Sequence, residues 1–296
     1  MKMSIFLIEA ILIICSVFSS KALADFTSAS NRGTIGDISN LYLSPDGFEI
    51  NMMNNDFLGG TDKYMTGAIS AGWLQSFGHQ GDPKILSYEI LADWHAMTPA
   101  SLERVGGKEL PRPLGRFADW MSGRGSFSYS VANAFGYAKL QLSLGMGHIG
   151  NKGMKNLHTS IHRGIGMQTS GLEYNNQPVG ITRDYDLYLG EIFGGLGGQI
   201  MVGGGLAYDK AMSEIYVSGN YLRDLTTSTK VSLEGVLARQ AKSEIYDAIN
   251  PVRYELAVGI RIHEYYQPGF KFVSSFLKED PQGQLYAELL RFNIPI

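Results

Sequence analysis

The sequence predicts an all-β fold, an antiparallel transmembrane β-barrel of twelve strands with a short helical segment in an outer loop. Three observations predict it. Segments of roughly ten residues alternate apolar and polar side chains between clusters of turn residues. Glycine (36) and tyrosine (16) are plentiful and charge is sparse (18%), with no apolar run of helix-spanning length beyond the opening segment. That opening segment, MKMSIFLIEAILIICSVFSSKALA, has a basic start, an apolar run from Ile5 to Phe18 and the small-x-small ending Ala22-Leu23-Ala24. It reads as an export signal over residues 1–24, cleaved before Asp25, leaving one barrel domain over 25–296.

The leader decides further points. Its apolar run, interrupted by Glu9, is too short to span a bilayer. The only cysteine, Cys15, lies inside it and follows Ile14, which does not fit a lipid-anchored cysteine. The mature chain therefore has no thiol, which excludes disulfides, thiolate metal sites and cysteine nucleophiles. Removing Lys2, Lys21 and Glu9 turns 25 basic and 28 acidic residues into 23 and 27, a formal charge of −4. That balance argues against a nucleic-acid partner, and no protein partner is predicted.

In chain order, strands are expected near 47–55, 64–77, 84–96, 113–130, 136–148, 181–193, 198–208, 213–222, 229–240, 251–264, 269–278 and 284–294. The clearest are AKLQLSLGMG (138–147), KVSLEGVLAR (230–239) and YELAVGIRI (254–262), where alternate residues face lipid and lumen. HQGDPK, DLTTST and YYQPG suit short inner turns. An even strand number puts both termini on the inner side, so the odd-numbered connections open outward. The second of these covers 97–112, and the third, 149–180, contains NKGMKNLHTSIHRGIGMQ, whose spacing allows a short helix. A soluble β-sandwich shares the alternation and is the competing fold.

Chemistry-bearing residues gather in the outward connections. NNDFLGGTDKYMTG (54–67) brings Asn55 and Asp56 at the end of the first strand towards Thr66 in the second. Amide, carboxylate and hydroxyl oxygens are what a hard cation such as calcium selects, and equally what an Asx-type turn uses. His158 and His162, four apart, would share one face of a helix. Imidazole exchanges protons near neutral pH, so either could activate water; packing or surface histidines are the plainer reading. Zinc is weakly indicated, because no Glu lies between them and no third ligand is fixed. Arg104, Lys108, Arg112 and Arg116, with Lys152, Lys155 and Arg163, form either a solvated loop face or a phosphate-binding set. GMGHIG (145–150) matches G-x-G-x-x-G but lacks a βαβ context, so its glycines belong to a strand end. GGLGGQIMVGGG (194–205) places glycines where a narrow barrel or tight turn needs them. No nucleophile-elbow serine motif is present.

NNDFLGGTDKYMTGA resembles the N-D-x-x-x-G-T-D-x-x-Y-T-N-G block of outer-membrane lipid A 3'-O-deacylases. MTP with RPLGRFADW is similar to that family's T/S-P and R-P elements, and HRGIG (162–166) to its H-R-x-x-G segment. The blocks occur in order across 47–166. The resemblance implies a twelve-stranded barrel in the bacterial outer membrane and a calcium-dependent esterase. Such an enzyme removes the 3'-linked acyloxyacyl chain of lipid A within lipopolysaccharide. It implies His162 as the base that activates water, with Asn55, Asp56 and Thr66 as a polar, metal-binding shell. Asp56 and Gln168 would hold calcium, and Arg104, near a family lysine, would contact substrate together with Arg112. The family has Glu where this chain has Gln168, Gln where it has His158, and Thr-Asn-Gly where it has Thr66-Gly67-Ala68. The Gln168 change keeps an oxygen ligand but loses a charge, which lowers calcium affinity. Two other readings follow: a non-catalytic lipopolysaccharide-binding or structural barrel of this lineage, and a phospholipase-type acyl hydrolase. If the site forms, Asp56, Thr66, His162 and Gln168 converge at the lipid-facing outer rim.

Overall fold

The computed structural model describes residues 47–54, 64–78, 82–98, 120–149, 152–164, 166, 180–208, 213–242, 251–262, 268–274 and 284–295. Twelve strands run β1 (Gly47–Asn54), β2 (Tyr64–Phe77), β3 (Lys84–Thr98), β4 (Trp120–Ala132), β5 (Gly136–Ile149), β6 (Gly180–Gly195), β7 (Gly198–Tyr208), β8 (Ser213–Thr226), β9 (Thr229–Lys242), β10 (Val252–Ile262), β11 (Gly269–Val273) and β12 (Gln284–Pro295). Among the described residues one helix, α1 (Lys152–Gly164), lies between β5 and β6. Sequential strands pair antiparallel, and β1 pairs antiparallel with β12, so the sheet returns on itself. A sheet that returns on itself leaves no unpaired edge.

Period-two alternation decides which way each side chain points. On β4 the inward positions are Ser122, Arg124, Ser126, Ser128 and Ser130, all buried. On β5 they include Tyr137, Lys139, Gln141 and Ser143. Outward positions carry the apolar residues, among them Leu140, Leu142, Leu144, Leu187, Leu189, Leu233, Leu237 and Leu256, all exposed. A water-soluble sheet would bury the aliphatic face. Here the polar face is buried instead.

Rings flank the outward aliphatic band. Towards the short turns lie Phe77, Tyr88, Tyr129, Phe193 and Tyr221, with Phe77 and Tyr88 centred 5.9 Å apart. Towards the long connections lie Trp94, Tyr185, Tyr208 and Tyr254, with Tyr185 and Tyr208 centred 6.0 Å apart. Two aromatic girdles around an aliphatic belt suit the two faces of a bilayer. No helix among the described residues is long and apolar enough to cross a membrane.

The lumen is packed rather than open. Tyr188 and Tyr216 stack 6.3 Å apart at 11° between planes, and the Tyr216 hydroxyl donates to Asp186 Oδ1 at 3.0 Å. A Cβ on Gly190, Gly203 or Gly205 would run into one of these two rings. The glycine run therefore answers a packing need, as expected of a narrow barrel. Gly145 and Gly147 lie within β5, in keeping with the strand-end reading of GMGHIG.

Several boundaries differ from expectation. β6 and β8 extend to Gly195 and Thr226, because Leu196-Gly197 and Thr227-Ser228 suffice to turn the chain. Glycine and threonine that read as loop composition stay in the ladder. β11 stops at Val273 rather than 278, since Ser274 replaces a ladder pair. Its N–H donates to the Tyr254 carbonyl at 2.9 Å and its hydroxyl accepts from the Tyr254 N–H at 2.8 Å. The strand expected at 113–130 is described from Trp120 onward, and residues 113–119 lie outside the described set.

Candidate active site

The connections β1–β2, β3–β4 and β5–β6 leave the sheet at the same end, opposite the short turns. α1 follows β5 at this end. Its sequence, KGMKNLHTSIHRG, contains no proline, and Gly166 follows it in a left-handed conformation (φ 73°), donating its N–H to the Arg163 carbonyl at 3.3 Å. Arg163 places positive charge beside the carbonyl end of the helix, where the backbone dipoles favour it.

His162 lies in the last turn of α1 and is only 3% exposed. Leu157 and Ile161, by contrast, are 46% and 40% exposed. The helix thus turns an imidazole into the protein and leaves an aliphatic edge outside, the reverse of a helix that packs only through its apolar stripe. His158 stands four residues earlier on the same helix, a spacing that puts both histidines on one face.

Thr66 lies near the start of β2, where the register with β3 shifts between Met65 and Gly67. Such an extra residue interrupts the ladder. On the other side, Asn54, the last residue of β1, pairs with Gly67. Asn55, Asp56, Arg104, Arg112 and Gln168 lie outside the described residues. Thr66 and His162 thus stand at one end of the barrel, on the first and third outward connections. Among the described residues, no cluster of three or more His, Cys, Asp or Glu groups could hold a metal ion.

Just below this rim, strand residues fill the lumen with charge. The Ser122 hydroxyl donates to Asp93, and Arg124 Nη2 lies 4.0 Å from Asp93 Oδ2. Arg253, fully buried, donates to Glu214 at 2.7 and 3.3 Å and to Glu255. Asp184 and Asp186 are buried on β6. The motif reading missed these residues, although each is a charge at an inward position of an alternating strand. Period-two parity alone could have found them.

The structure is similar to that of LpxR from Salmonella typhimurium, with a TM-score of 0.57, 15% identity, and coverage of 84% of this chain and 100% of that one. The two share a fold. Outer membrane phospholipase A from Escherichia coli aligns at a TM-score of 0.41 and 11% identity, over 86% of this chain and 94% of the other. The translocator domain of the autotransporter NalP from Neisseria meningitidis aligns at 0.37 and 10%, over 84% and 88%. No family model matches the chain, and no curated protein matches it by sequence.

Proposed function

We propose that this protein is an outer-membrane ester hydrolase that removes the 3'-linked acyloxyacyl chain from lipid A. In this reading, residues 1–24 are an export signal and the twelve-strand barrel spans the outer membrane. Its short turns face inward and α1 stands on the outer rim. The aliphatic belt between two girdles of rings supports the insertion. The motif resemblance supports the chemistry, and the fold likeness to LpxR supports the barrel that would carry it.

The observation that carries the proposal is His162, a buried imidazole on a rim helix whose exposed edge is Leu157 and Ile161. An aliphatic edge at the bilayer surface sinks among acyl chains. That brings the histidine to the depth of an ester bond rather than to bulk water. His162 then accepts a proton from water as the water attacks the ester carbonyl. Asn55 and Thr66 supply hydrogen bonds around the reacting group, and Arg104 and Arg112 hold phosphate oxygens of the lipid A sugars. Asp56 and Gln168 offer hard oxygen donors of the kind calcium takes. Bound there, calcium would supply positive charge beside the ester carbonyl.

The test is incubation of the purified, refolded full chain with lipid A and calcium, followed by mass spectrometry of the lipid. Loss of the 3'-acyloxyacyl mass is the expected result. Intact lipid A with hydrolysed phospholipid would point to a phospholipase. Both lipids intact would leave a non-catalytic barrel.

A further inference from the structure

On the outer wall near the short turns, Tyr129, Val131, Ala138, Leu140, Leu189 and Val202 line an open groove of about 490 Å³ across β4 to β7. A groove in the aliphatic belt of an inserted barrel is filled by acyl chain. The groove is unusual in what stands at its two sides. Lys84 pairs in register with Val131, Val131 with Ala138, and Ala138 with Glu191. All four occupy outward positions along one register row of neighbouring strands.

Lys84 and Glu191 are therefore three strand spacings apart, roughly 14 Å, with two short apolar residues between them. Both are exposed. Lys84 makes no ion pair among the described residues. Glu191 lines the groove, and Asn133 Nδ2 donates to its Oε2 at 2.8 Å. Asn133 is itself fixed by the β4–β5 turn, its Oδ1 accepting the N–H groups of Phe135 and Gly136 at 2.9 Å each. The carboxylate is thus held in place with Oε1 still open. A lysine side chain extended towards the fixed carboxylate would narrow that span to the size of a single headgroup.

We propose that this groove seats a glycerophospholipid carrying a primary ammonium, its phosphate on Lys84, its ammonium on Glu191 and one acyl chain over Ala138. The complementarity is that of a zwitterion. A phosphate accepts from the lysine, and an N–H of the ammonium donates to Glu191 Oε1, both charge-assisted. A glycerol headgroup would offer Glu191 only neutral hydroxyl donors, and a quaternary ammonium has no N–H to give. The inference rests on the barrel spanning a membrane and not on hydrolysis of lipid A.

The experiment is native mass spectrometry of the full chain released from nanodiscs. The discs hold equal amounts of phosphatidylethanolamine, phosphatidylglycerol and phosphatidylcholine with identical acyl chains. Retained phosphatidylethanolamine is expected to exceed each of the others roughly two- to fivefold, the range of two partly exposed charge contacts. Glu191→Gln should bring the ratio close to one, whereas Lys84→Gln, which removes a phosphate contact common to the three lipids, should lower the retention of all three. Ala138→Phe, which fills the groove, should remove the bound lipid, whereas Leu237→Phe on the far wall should not. Heat-shifted gel mobility verifies that each variant is folded. Equal retention of the three lipids by the wild type would overturn the proposal. So would unchanged retention in folded Glu191→Gln or Ala138→Phe. Lipid A hydrolysis assayed on the same samples reports separately: a barrel that leaves lipid A intact yet keeps phosphatidylethanolamine refutes only the deacylase reading.

Discussion

The hairpin between β6 and β7 closes on Leu196 and Gly197 alone, while β5 and β6 are joined by everything from Gly150 to Val179, α1 included. Both connections serve the same strand, β6. At the turn end, local backbone geometry settles the conformation, as in the β8–β9 turn where the Ser228 N–H donates to Thr226 Oγ1 at 3.2 Å. At the long-connection end, a helix follows β5 with its histidine buried. Changes at the two ends should therefore fail differently. The turn end should lose stability, and the rim should lose activity while the barrel stays folded.

The largest effect is expected at the rim. His162→Gln keeps the volume and a hydrogen-bonding group but removes the base. Lipid A deacylation should fall on the order of 10²- to 10⁴-fold, measured by lipid mass, with gel mobility and circular dichroism unchanged. A His162→Gln barrel that still releases the 3'-chain at the wild-type rate would remove the histidine from the mechanism. Loss of the fold would make it a packing residue.

Between the two ends lies the lumen, where neither behaviour holds. Arg253→Met leaves Glu214 and Glu255 buried without the guanidinium that bridges them. Removing one partner of such a cluster costs about 3–5 kcal/mol. Denaturant unfolding from vesicles should show that loss. Adding Glu214→Gln and Glu255→Gln should recover much of it, because the stranded charges disappear.

Next comes the fit of the stacked tyrosines. The atoms nearest an added Cβ at Gly190 belong to the ring and hydroxyl of Tyr188. Gly190→Ala should therefore cost about 1–3 kcal/mol through overpacking. In a Tyr188→Ala background the same change should cost little, and a double-mutant cycle measures that coupling. Additive costs would mean that the glycine serves the strand and not the ring.

Gln168→Glu restores the charge that the resembling family carries. It should shift the calcium dependence of deacylation to about tenfold lower concentration. Calcium titration of the reaction checks this, and an unmoved midpoint would take residue 168 out of the metal shell.

These contrasts explain what the sequence made legible. Strand parity is written in every second residue, so AKLQLSLGMG and YELAVGIRI declared both faces of the wall. Helix spacing likewise exposed HTSIH as one turn of α1. Boundaries were harder, because glycine and threonine serve equally in a twisted strand and in the turn beyond it. The lumen cluster around Arg253 escaped notice for another reason. Glu214 and Arg253 are 39 residues apart, and nothing in either local pattern names its partner. Which loop residues belong to one site is the same kind of question, since nothing in the local patterns around Asp56, His162 and Gln168 names a partner.

The smallest effect is expected at the turn. Leu196 and Gly197 both have positive φ, 54° and 76°, the backbone of a two-residue type I′ hairpin. That twist matches the strands, and glycine adopts it without steric cost, while leucine at the preceding position already carries some strain. Gly197→Ala adds a second Cβ in the left-handed region and should cost about 1 kcal/mol. Its nearest neighbour would be the Arg223 side chain at 3.7 Å, an ordinary contact, so the cost is conformational rather than steric crowding. Leu196→Asn should act in the opposite direction, since asparagine tolerates positive φ better than leucine does. Unfolding midpoints of the two variants should move to opposite sides of the wild type, with lipid A hydrolysis unchanged in both. A loss of hydrolysis in either folded variant would mean that the two ends communicate through the wall of β6, and the separation of stability from chemistry would fail.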